Sequence, residues 1–270
     1  MSATANRPRL NAQQLAFYRR EGYLLYDQPV FPPAKFAKLQ LHFEAKLAAL
    51  PTGERPENMD VPHFTDPALF EWLFAAEVLD LVEPLIGPDI ALFSSHFICK
   101  PKGNGKRVPW HEDSSYWRAM LSPMEVVTVW LAIDPSTTEN GCMQVIPRTL
   151  AGNSATEPVD LATNVFNTQI KRNQFDATKA VPCILNPNHA SLHDGRLIHG
   201  SEPNLSSKRR CGYTLRYIST RVRFNHEKVG AWHQIYLGRG RDHAGNRYAD
   251  PTKCDHAFLQ QRHRVGQTGH

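Results

Sequence analysis

Trp110-His111-Glu112-Asp113 is the stretch on which the interpretation of this 270-residue chain depends. Side chains of an extended segment alternate between its two faces, so His111 and Asp113 point to the same side. One imidazole and one carboxylate on a common face can bind one ion, whereas Glu112 falls on the other face. A distant second histidine would complete a set of two imidazoles and one carboxylate. This set suits Fe(II) and leaves coordination positions open for a chelating cosubstrate and dioxygen.

A second histidine in a suitable context occurs far down the chain, at His199. It is followed by Lys208-Arg209-Arg210 and then by an alternating run that indicates a strand. An iron oxygenase of this type must hold the far carboxylate of a dicarboxylic keto acid while the near end chelates the metal. A guanidinium meets a carboxylate with two parallel hydrogen bonds, so an arginine on this strand is the expected anchor.

Further motifs occur in order along the chain. They are Lys100-Pro101, Thr128-Val129-Trp130, Glu139-Asn140-Gly141-Cys142, Val145-Ile146-Pro147, and His199-Gly200-Ser201 with Asn204 and Arg210. Together with the first histidine motif, this series resembles the phytanoyl-CoA dioxygenase family of Fe(II)/2-oxoglutarate oxygenases. The resemblance runs from about residue 15 to residue 217. It implies a double-stranded β-helix, a jelly-roll barrel that is also described as cupin-like.

Position by position, the resemblance implies that His111, Asp113 and His199 are the catalytic residues that bind iron. It also implies that Arg210, eleven residues beyond His199, anchors the far carboxylate of 2-oxoglutarate. Arg209 would point to the opposite face of a regular strand. Three further residues fall where family members contact the cosubstrate, namely Lys100, Trp130 and Ser201.

Strand parity selects additional candidates. Residues 126–133 form the strongest predicted strand, a near-continuous apolar run that Thr128 interrupts. A polar residue there indicates that its face looks into the site, where Thr128 would contact the cosubstrate. On the predicted strand 90–100, His96 shares a face with Lys100, so we interpret His96 as a contact of substrate or cosubstrate, with a purely structural role as the alternative.

Other residues are candidates for binding or shaping the substrate. Tyr116 and Trp117 follow the metal motif, and they either wall the substrate pocket or pack in the core. Arg216 shares strand parity with the anchoring arginine and would contribute to a pocket for anions. His193 is interpreted as structural, because the Asp-Gly pair after it favours a turn that breaks its parity with the second histidine. The polar segment 151–180 is the expected region of substrate selection.

The totals of the chain limit the alternatives. The chain has 41% hydrophobic residues and a net charge of +5, but no long run of lysine or arginine, so we expect no nucleic-acid partner. Five cysteines without a C-x-x-C pair indicate reduced thiols rather than a disulfide framework or a zinc cluster. There is no apolar signal core at the start and no apolar run of membrane-spanning length. We therefore expect a cytoplasmic protein without a membrane partner.

The fold class we predict is mainly β with flanking helices (α+β), in a single domain over residues 1–270. Residues 1–88 would form an N-terminal helical support and residues 89–220 the barrel core, with an insert at 151–180. Residues 221–270 would form a basic C-terminal extension that either covers the barrel mouth or mediates self-association, so a homodimer stays open. We expect the last dozen residues to be disordered.

The predicted function is hydroxylation of an unactivated C–H bond in a small-molecule metabolite, with Fe(II), 2-oxoglutarate and dioxygen, and with release of succinate and CO₂. The same cofactors also support desaturation or demethylation. A different alternative is a catalytically silent, metal-binding cupin-like barrel that binds a metabolite. The chain departs from the family at Arg148-Thr149-Leu150, where members commonly end the motif with histidine, and this leaves the substrate class open.

Overall fold

The computed structural model describes residues 9–255, and within them two antiparallel sheets face each other across a pocket. The helices are α1 (Ala12–Glu21), α2 (Pro33–Ala48), α3 (Phe70–Leu73), α4 (Ala76–Ile86), α5 (Ser114–Trp117) and α6 (His226–Val229). The strands are β1 (Tyr23–Tyr26), β2 (Met59–Asp60), β3 (Ile90–Lys100), β4 (Val108–His111), β5 (Leu121–Ser122), β6 (Val126–Ala132), β7 (Gln144–Val145), β8 (Thr156–Pro158), β9 (Thr168–Ile170), β10 (Val181–Pro182), β11 (Ala190–Asp194), β12 (His199–Ser201), β13 (Arg210–Ser219), β14 (Arg223–Phe224) and β15 (Tyr236–Arg239). The expectation for the last dozen residues lies outside the described range.

The larger sheet has the strand order β1-β11-β6-β13-β3-β15, and β2 also pairs with β3. The smaller sheet has the order β10-β7-β12-β4. Strands β6 and β13, at the centre of the larger sheet, are buried along their whole length. Both faces of these strands are therefore covered, and this explains the near-continuous apolar sequence of β6.

Helices α1 to α4 cover the face of the larger sheet that points away from the pocket. Helix α1 begins after Asn11, whose side chain accepts a hydrogen bond from the Gln14 amide, and ends at Gly22. Helix α2 buries Phe36, Leu39 and Phe43 in the main hydrophobic core, as its spacing of three and four residues predicts. The rigid outer layer holds the central strands in place behind the pocket.

Strands from outside the predicted core range complete the larger sheet. Strand β1 pairs with β11, and β15 pairs with β3, so both flanking regions contribute to the barrel. Within the segment 151–180, β8 and β9 form a small separate sheet. All five cysteines lie in the described range as free thiols. Among residues 9–255, every helix falls short of the length and apolar character needed to cross a bilayer.

Candidate iron and cosubstrate site

Three buried side chains converge in the pocket between the two sheets. His111, Asp113 and His199 each offer one ligand atom, and these atoms all lie within 4.8 Å of one another. Nε2 of His111 is 3.6 Å from an oxygen of Asp113, and the centroids of the two imidazole rings are 4.1 Å apart. Ligand atoms at these separations can bind a common ion, as the sequence predicts.

Strand pairing and backbone carbonyls orient the two imidazoles. His199 in β12 is the register partner of His111 in β4. Nδ1 of His111 is 2.8 Å from the carbonyl oxygen of Pro109, and Nδ1 of His199 is 2.9 Å from that of Leu197. Because a carbonyl only accepts, each ring carries its proton at Nδ1 and keeps Nε2 free to bind a metal. Burial also lowers the pKa of His199 well below its ordinary value, which favours the neutral form.

Asp113 supplies the negative charge of the set. Burial raises the pKa of its carboxyl group, but the Arg216 guanidinium and the nearby His111 more than reverse this effect. The net pKa of Asp113 lies well below its ordinary value, so the group is a carboxylate. A buried carboxylate beside two imidazoles, with its charge only partly balanced by protein groups, fits a divalent iron ion.

Arg210 lies fully buried in the same pocket. Its Nε and Nη2 donate to the carbonyl oxygen of Gly141 at 3.2 and 2.8 Å, and Nη2 also donates to the hydroxyl of Ser201 at 3.2 Å. Gly141 has a φ of 72°, a conformation that glycine adopts without strain and that shapes the turn below the guanidinium. Within residues 9–255, Arg210 has no ion pair with a carboxylate. Its buried positive charge therefore fits the far carboxylate of a bound keto diacid.

Trp130 packs against this guanidinium, with the Arg210 Cζ 5.3 Å from the ring centroid. The indole has room because position 212 is glycine, where a Cβ would lie only 2.1 Å from Trp130 Cζ2. Arg209 faces the opposite side of the strand, as predicted, and donates to Asp134 at 2.8 Å. The choice of Arg210 over Arg209 as the pocket arginine therefore agrees with the structure.

Lys100 and Ser201 occupy different positions relative to the pocket. Ser201 lines it, and its hydroxyl contacts Arg210. Lys100 is the register partner of Arg210, but its ammonium donates to the backbone carbonyls of Ser201 and Glu202. Burial, and then the neighbouring Arg210, lower the pKa of Lys100 well below its ordinary value. The contact predicted between Lys100 and the cosubstrate stays a prediction.

His96, Thr128 and Arg216 line the pocket, on the faces that strand parity predicts. Nε2 of His96 donates to the backbone carbonyl of Glu57 at 2.8 Å. Thr128 is the register partner of Arg216 on the neighbouring strand. The places of these three side chains are thus compatible with contacts to substrate or cosubstrate, and those roles stay predictions.

Tyr116 and Trp117 stand at the edge of the site. Tyr116 is 43% exposed, and its ring centroid is 6.1 Å from that of His111 and 5.6 Å from that of Phe166. Trp117 packs on the Arg216 guanidinium, whose Cζ is 5.3 Å from the indole centroid. Trp117 therefore backs a pocket residue, and Tyr116 lies at the entrance beside the insert.

His193 lines the pocket, whereas its interpretation as a structural residue stays a prediction. Strand β11 continues through Asp194, so the turn comes after His193 and its side chain faces the pocket. Its ring centroid is 4.8 Å from that of His199. Neither ring nitrogen has a hydrogen-bond partner among the described residues. The predicted turn is present at residues 195–197, and His193 and His199 both line the pocket because β11 and β12 belong to the two sheets on either side of it.

Two other pocket residues, Glu57 and Phe166, come from segments without a clear period. Phe166 belongs to the insert, and its ring centroid is 5.0 Å from that of His111. The further lining residues are Glu57, Ile98, Val108, Met143, Val165, Phe166 and Thr214, of which Ile98 shares the face of His96 that strand alternation predicts. Nothing in the sequence signals Glu57 or Phe166, because the path of an irregular segment is decided by its tertiary contacts.

Comparison with known proteins decides the family. The model of the phytanoyl-CoA dioxygenase (PhyH) family matches residues 18–212. The chain belongs to the phytanoyl-CoA dioxygenase family. A phytanoyl-CoA dioxygenase domain-containing protein 1 homolog of Dictyostelium discoideum is 28% identical over 160 residues, which are 58% of this chain and 56% of that protein. The match therefore spans little more than half of that relative's length.

Two further comparisons cover more of this phytanoyl-CoA dioxygenase family member. The dioxygenase lolE1 of Epichloe uncinata is 25% identical over 77% of this chain and 83% of its own. The solved structure of apo ThoJ, a non-heme monooxygenase, has a TM-score of 0.72 at 21% identity and covers 94% of this chain and 95% of its own. The likeness confirms the double-stranded β-helix. Family membership and the buried triad together indicate an iron- and 2-oxoglutarate-dependent oxygenase.

Proposed function

We propose that this oxygenase hydroxylates an unactivated C–H bond of a small-molecule metabolite and releases succinate and CO₂. The observation that carries the proposal is the presence, in one pocket, of the buried triad His111, Asp113 and His199 and of a buried Arg210 without a carboxylate partner in the described chain. A barrel that only bound a metal would need the triad but not the guanidinium.

Each group has a definite task in this proposal. His111, Asp113 and His199 would hold the iron on one side and leave its other side to the cosubstrate and dioxygen. Arg210, held by the Gly141 carbonyl, would fix the far carboxylate of 2-oxoglutarate so that the keto acid can chelate the metal. When bound, iron and 2-oxoglutarate supply the oxidising power, as dioxygen and the keto acid yield succinate, CO₂ and one oxygen atom for the substrate.

The remaining work of the protein is to position the substrate and exclude water. Phe166 lies over the His111 ring, and Trp130 forms an apolar wall beside Arg210. These side chains would limit the access of solvent to the reacting centre, which protects the oxidant from side reactions. Desaturation and demethylation use the same cofactors, and hydroxylation is the outcome that requires no additional group.

Anaerobic addition of Fe(II) and 2-oxoglutarate should give the weak visible charge-transfer band of a chelated keto acid, and admission of air should then yield succinate. Arg210→Gln should raise the KM for 2-oxoglutarate by roughly 10- to 100-fold, because it removes a charge-assisted contact of about 1.5–3 kcal/mol. Arg209→Gln is the matched control, since Arg209 faces Asp134 outside the pocket, and it should keep the KM. Absence of both the band and succinate formation would instead favour a metabolite-binding barrel.

A further inference from the structure

A row of polar side chains crosses the larger sheet on the wall of the pocket that faces Asp113. Arg216 in β13 is the register partner of Thr128 in β6, and Thr128 is the register partner of His193 in β11. We call these three residues the polar row. All three are buried, with exposures of 8% for Arg216, 0% for Thr128 and 1% for His193. All three line the pocket that holds the iron ligands.

Much of the hydrogen-bonding capacity of the polar row is unused. Arg216 Nε, Thr128 Oγ1 and both ring nitrogens of His193 have no hydrogen-bond partner among residues 9–255. Arg216 Nε and His193 Nε2 are 3.7 and 4.0 Å from the same oxygen of Asp113, beyond ordinary hydrogen-bond distance. Buried polar groups are almost always paired in folded proteins, so a cluster of unpaired ones in a pocket indicates a ligand.

The charges of the pocket indicate the sign of that ligand. Its charged lining residues are Glu57, Asp113, Arg210 and Arg216. The Glu57 carboxylate is paired with Arg55 at 2.6 Å. With iron and 2-oxoglutarate bound, the charges of the metal, the keto diacid, Asp113 and Arg210 cancel. Arg216 is then a buried cation without a full counter-charge, and such a group is costly until an anion pairs with it.

The geometry around Arg216 leaves its donors directed at the pocket. Trp117 covers one face of the guanidinium, with Cζ 5.3 Å from the ring centroid, so the N–H groups remain at its edge. Among the described residues, Nη1 donates only to the Ser94 hydroxyl, at 3.4 Å. Beside these donors stand the Thr128 hydroxyl and one N–H of the His193 ring. Several unpaired donors on one wall of the pocket match the acceptor oxygens of an oxyanion.

We propose that the substrate of this oxygenase carries an oxyanion, either a carboxylate or a phosphorus oxyacid, and that the polar row binds it beside the iron. This inference rests on the proposed function and adds the chemical class of the substrate. Arg216 provides the charge, and Thr128 and His193 complete the hydrogen bonds. The oxidised C–H bond then belongs to a small acidic metabolite rather than to a neutral or cationic one.

The test uses the full-length protein with Fe(II) and 2-oxoglutarate under anaerobic conditions. Small probes that differ only in charge are titrated while perturbation of the visible band is recorded: butanoate against methyl butanoate, and propylphosphonate against its dimethyl ester. We expect each anion to bind at least about tenfold more tightly than its ester, the difference that one charge-assisted contact produces. The two arms separate a carboxylate substrate from a phosphorus oxyacid.

Variants assign the preference to the polar row. Arg216→Gln should weaken binding of the preferred anion by roughly 10- to 100-fold while the ester is little affected. Thr128→Val removes a hydroxyl and leaves the shape of the side chain almost constant. It should weaken binding of the anion by about three- to tenfold. Arg223→Gln is the control, because Arg223 is an exposed arginine of β14, and it should leave both affinities unchanged.

The outcomes separate the two levels of the proposal. Equal binding of anions and esters by the wild-type protein, or an anion preference that survives Arg216→Gln, overturns the inference and leaves the oxygenase proposal standing. The Arg216→Gln variant could instead lose the band of the iron and 2-oxoglutarate complex while its melting temperature is unchanged. This result would mean that Arg216 positions Asp113, and it would also overturn the inference. A wild-type protein without the band contradicts the proposed function, and the inference falls with it.

Discussion

The two walls of the pocket satisfy their polar groups in opposite ways. On the smaller sheet, His111 and His199 each have Nδ1 tied to a backbone carbonyl two residues earlier, at 2.8 and 2.9 Å. On the larger sheet, the polar row keeps the Arg216 Nε, the Thr128 hydroxyl and the His193 ring nitrogens without such partners in the described chain. This difference agrees with the proposal that the smaller sheet holds a resident metal and the larger sheet binds a substrate.

This difference follows from the task of each wall. A resident metal needs ligands whose tautomer and orientation are fixed before it arrives, because each loose ligand would have to be ordered on binding. A substrate must enter and leave in every turnover, so its contacts cannot be closed off by the protein. The unpaired groups of the larger sheet lower the stability of the empty fold, and occupation of the pocket offsets that loss.

The largest expected effect comes from removing a side chain of the triad. Asp113→Ala removes the only carboxylate of the triad, so succinate formation should fall by at least about 1,000-fold while the fold is retained. The measurements are succinate release in air and circular dichroism. Glu112→Gln is the matched control, because the carboxylate of Glu112 is not part of the triad and accepts a hydrogen bond from Arg118 at 2.7 Å. Full succinate formation by Asp113→Ala would exclude Asp113 as an iron ligand.

A second change displaces Trp130, the side chain that packs against the Arg210 guanidinium. In Gly212→Ala the new Cβ would lie 2.1 Å from Trp130 Cζ2, so the indole must move away from the guanidinium. Overpacking should lower stability by about 1–3 kcal/mol, and the KM for 2-oxoglutarate should rise about tenfold. Thermal melting and steady-state kinetics measure the two effects. Adding Trp130→Phe should recover stability without recovering affinity, and a neutral Gly212→Ala would mean that the indole does not fill this space.

The smallest effect should come from Phe166, which packs on the ring of His111. Phe166→Ala opens the space above the His111 ring, so succinate formation in the absence of substrate should rise about threefold as water and dioxygen gain access. Phe175→Ala is the matched control, because this second aromatic residue of the insert packs on Trp110, with centroids 5.3 Å apart. Equal effects of the two variants would show that Phe166 has no special role at the site.

Site residues on regular strands could be predicted from the sequence, whereas those in irregular segments could not. Strand β3 has the predicted bounds, and period-two alternation placed His96 and Thr128 on the pocket face. The same rule separated Arg210 from Arg209. The turn predicted after His193 is present, but parity within one strand cannot show that His193 and His199 face each other, because they lie on strands of different sheets. Phe166 lies outside any periodic element, so no rule of this kind reaches it.

The sequence by itself predicted the His-Asp-His triad, the pocket arginine, the family and the faces of the long strands, because these depend on residue type, order and local periodicity. Only the tertiary structure decided that three strands bring Arg216, Thr128 and His193 into one row. It also decided that the insert lays Phe166 over His111. Contacts between segments far apart in the chain depend on sheet register and loop paths, and these are set by packing across the whole barrel rather than by any local pattern.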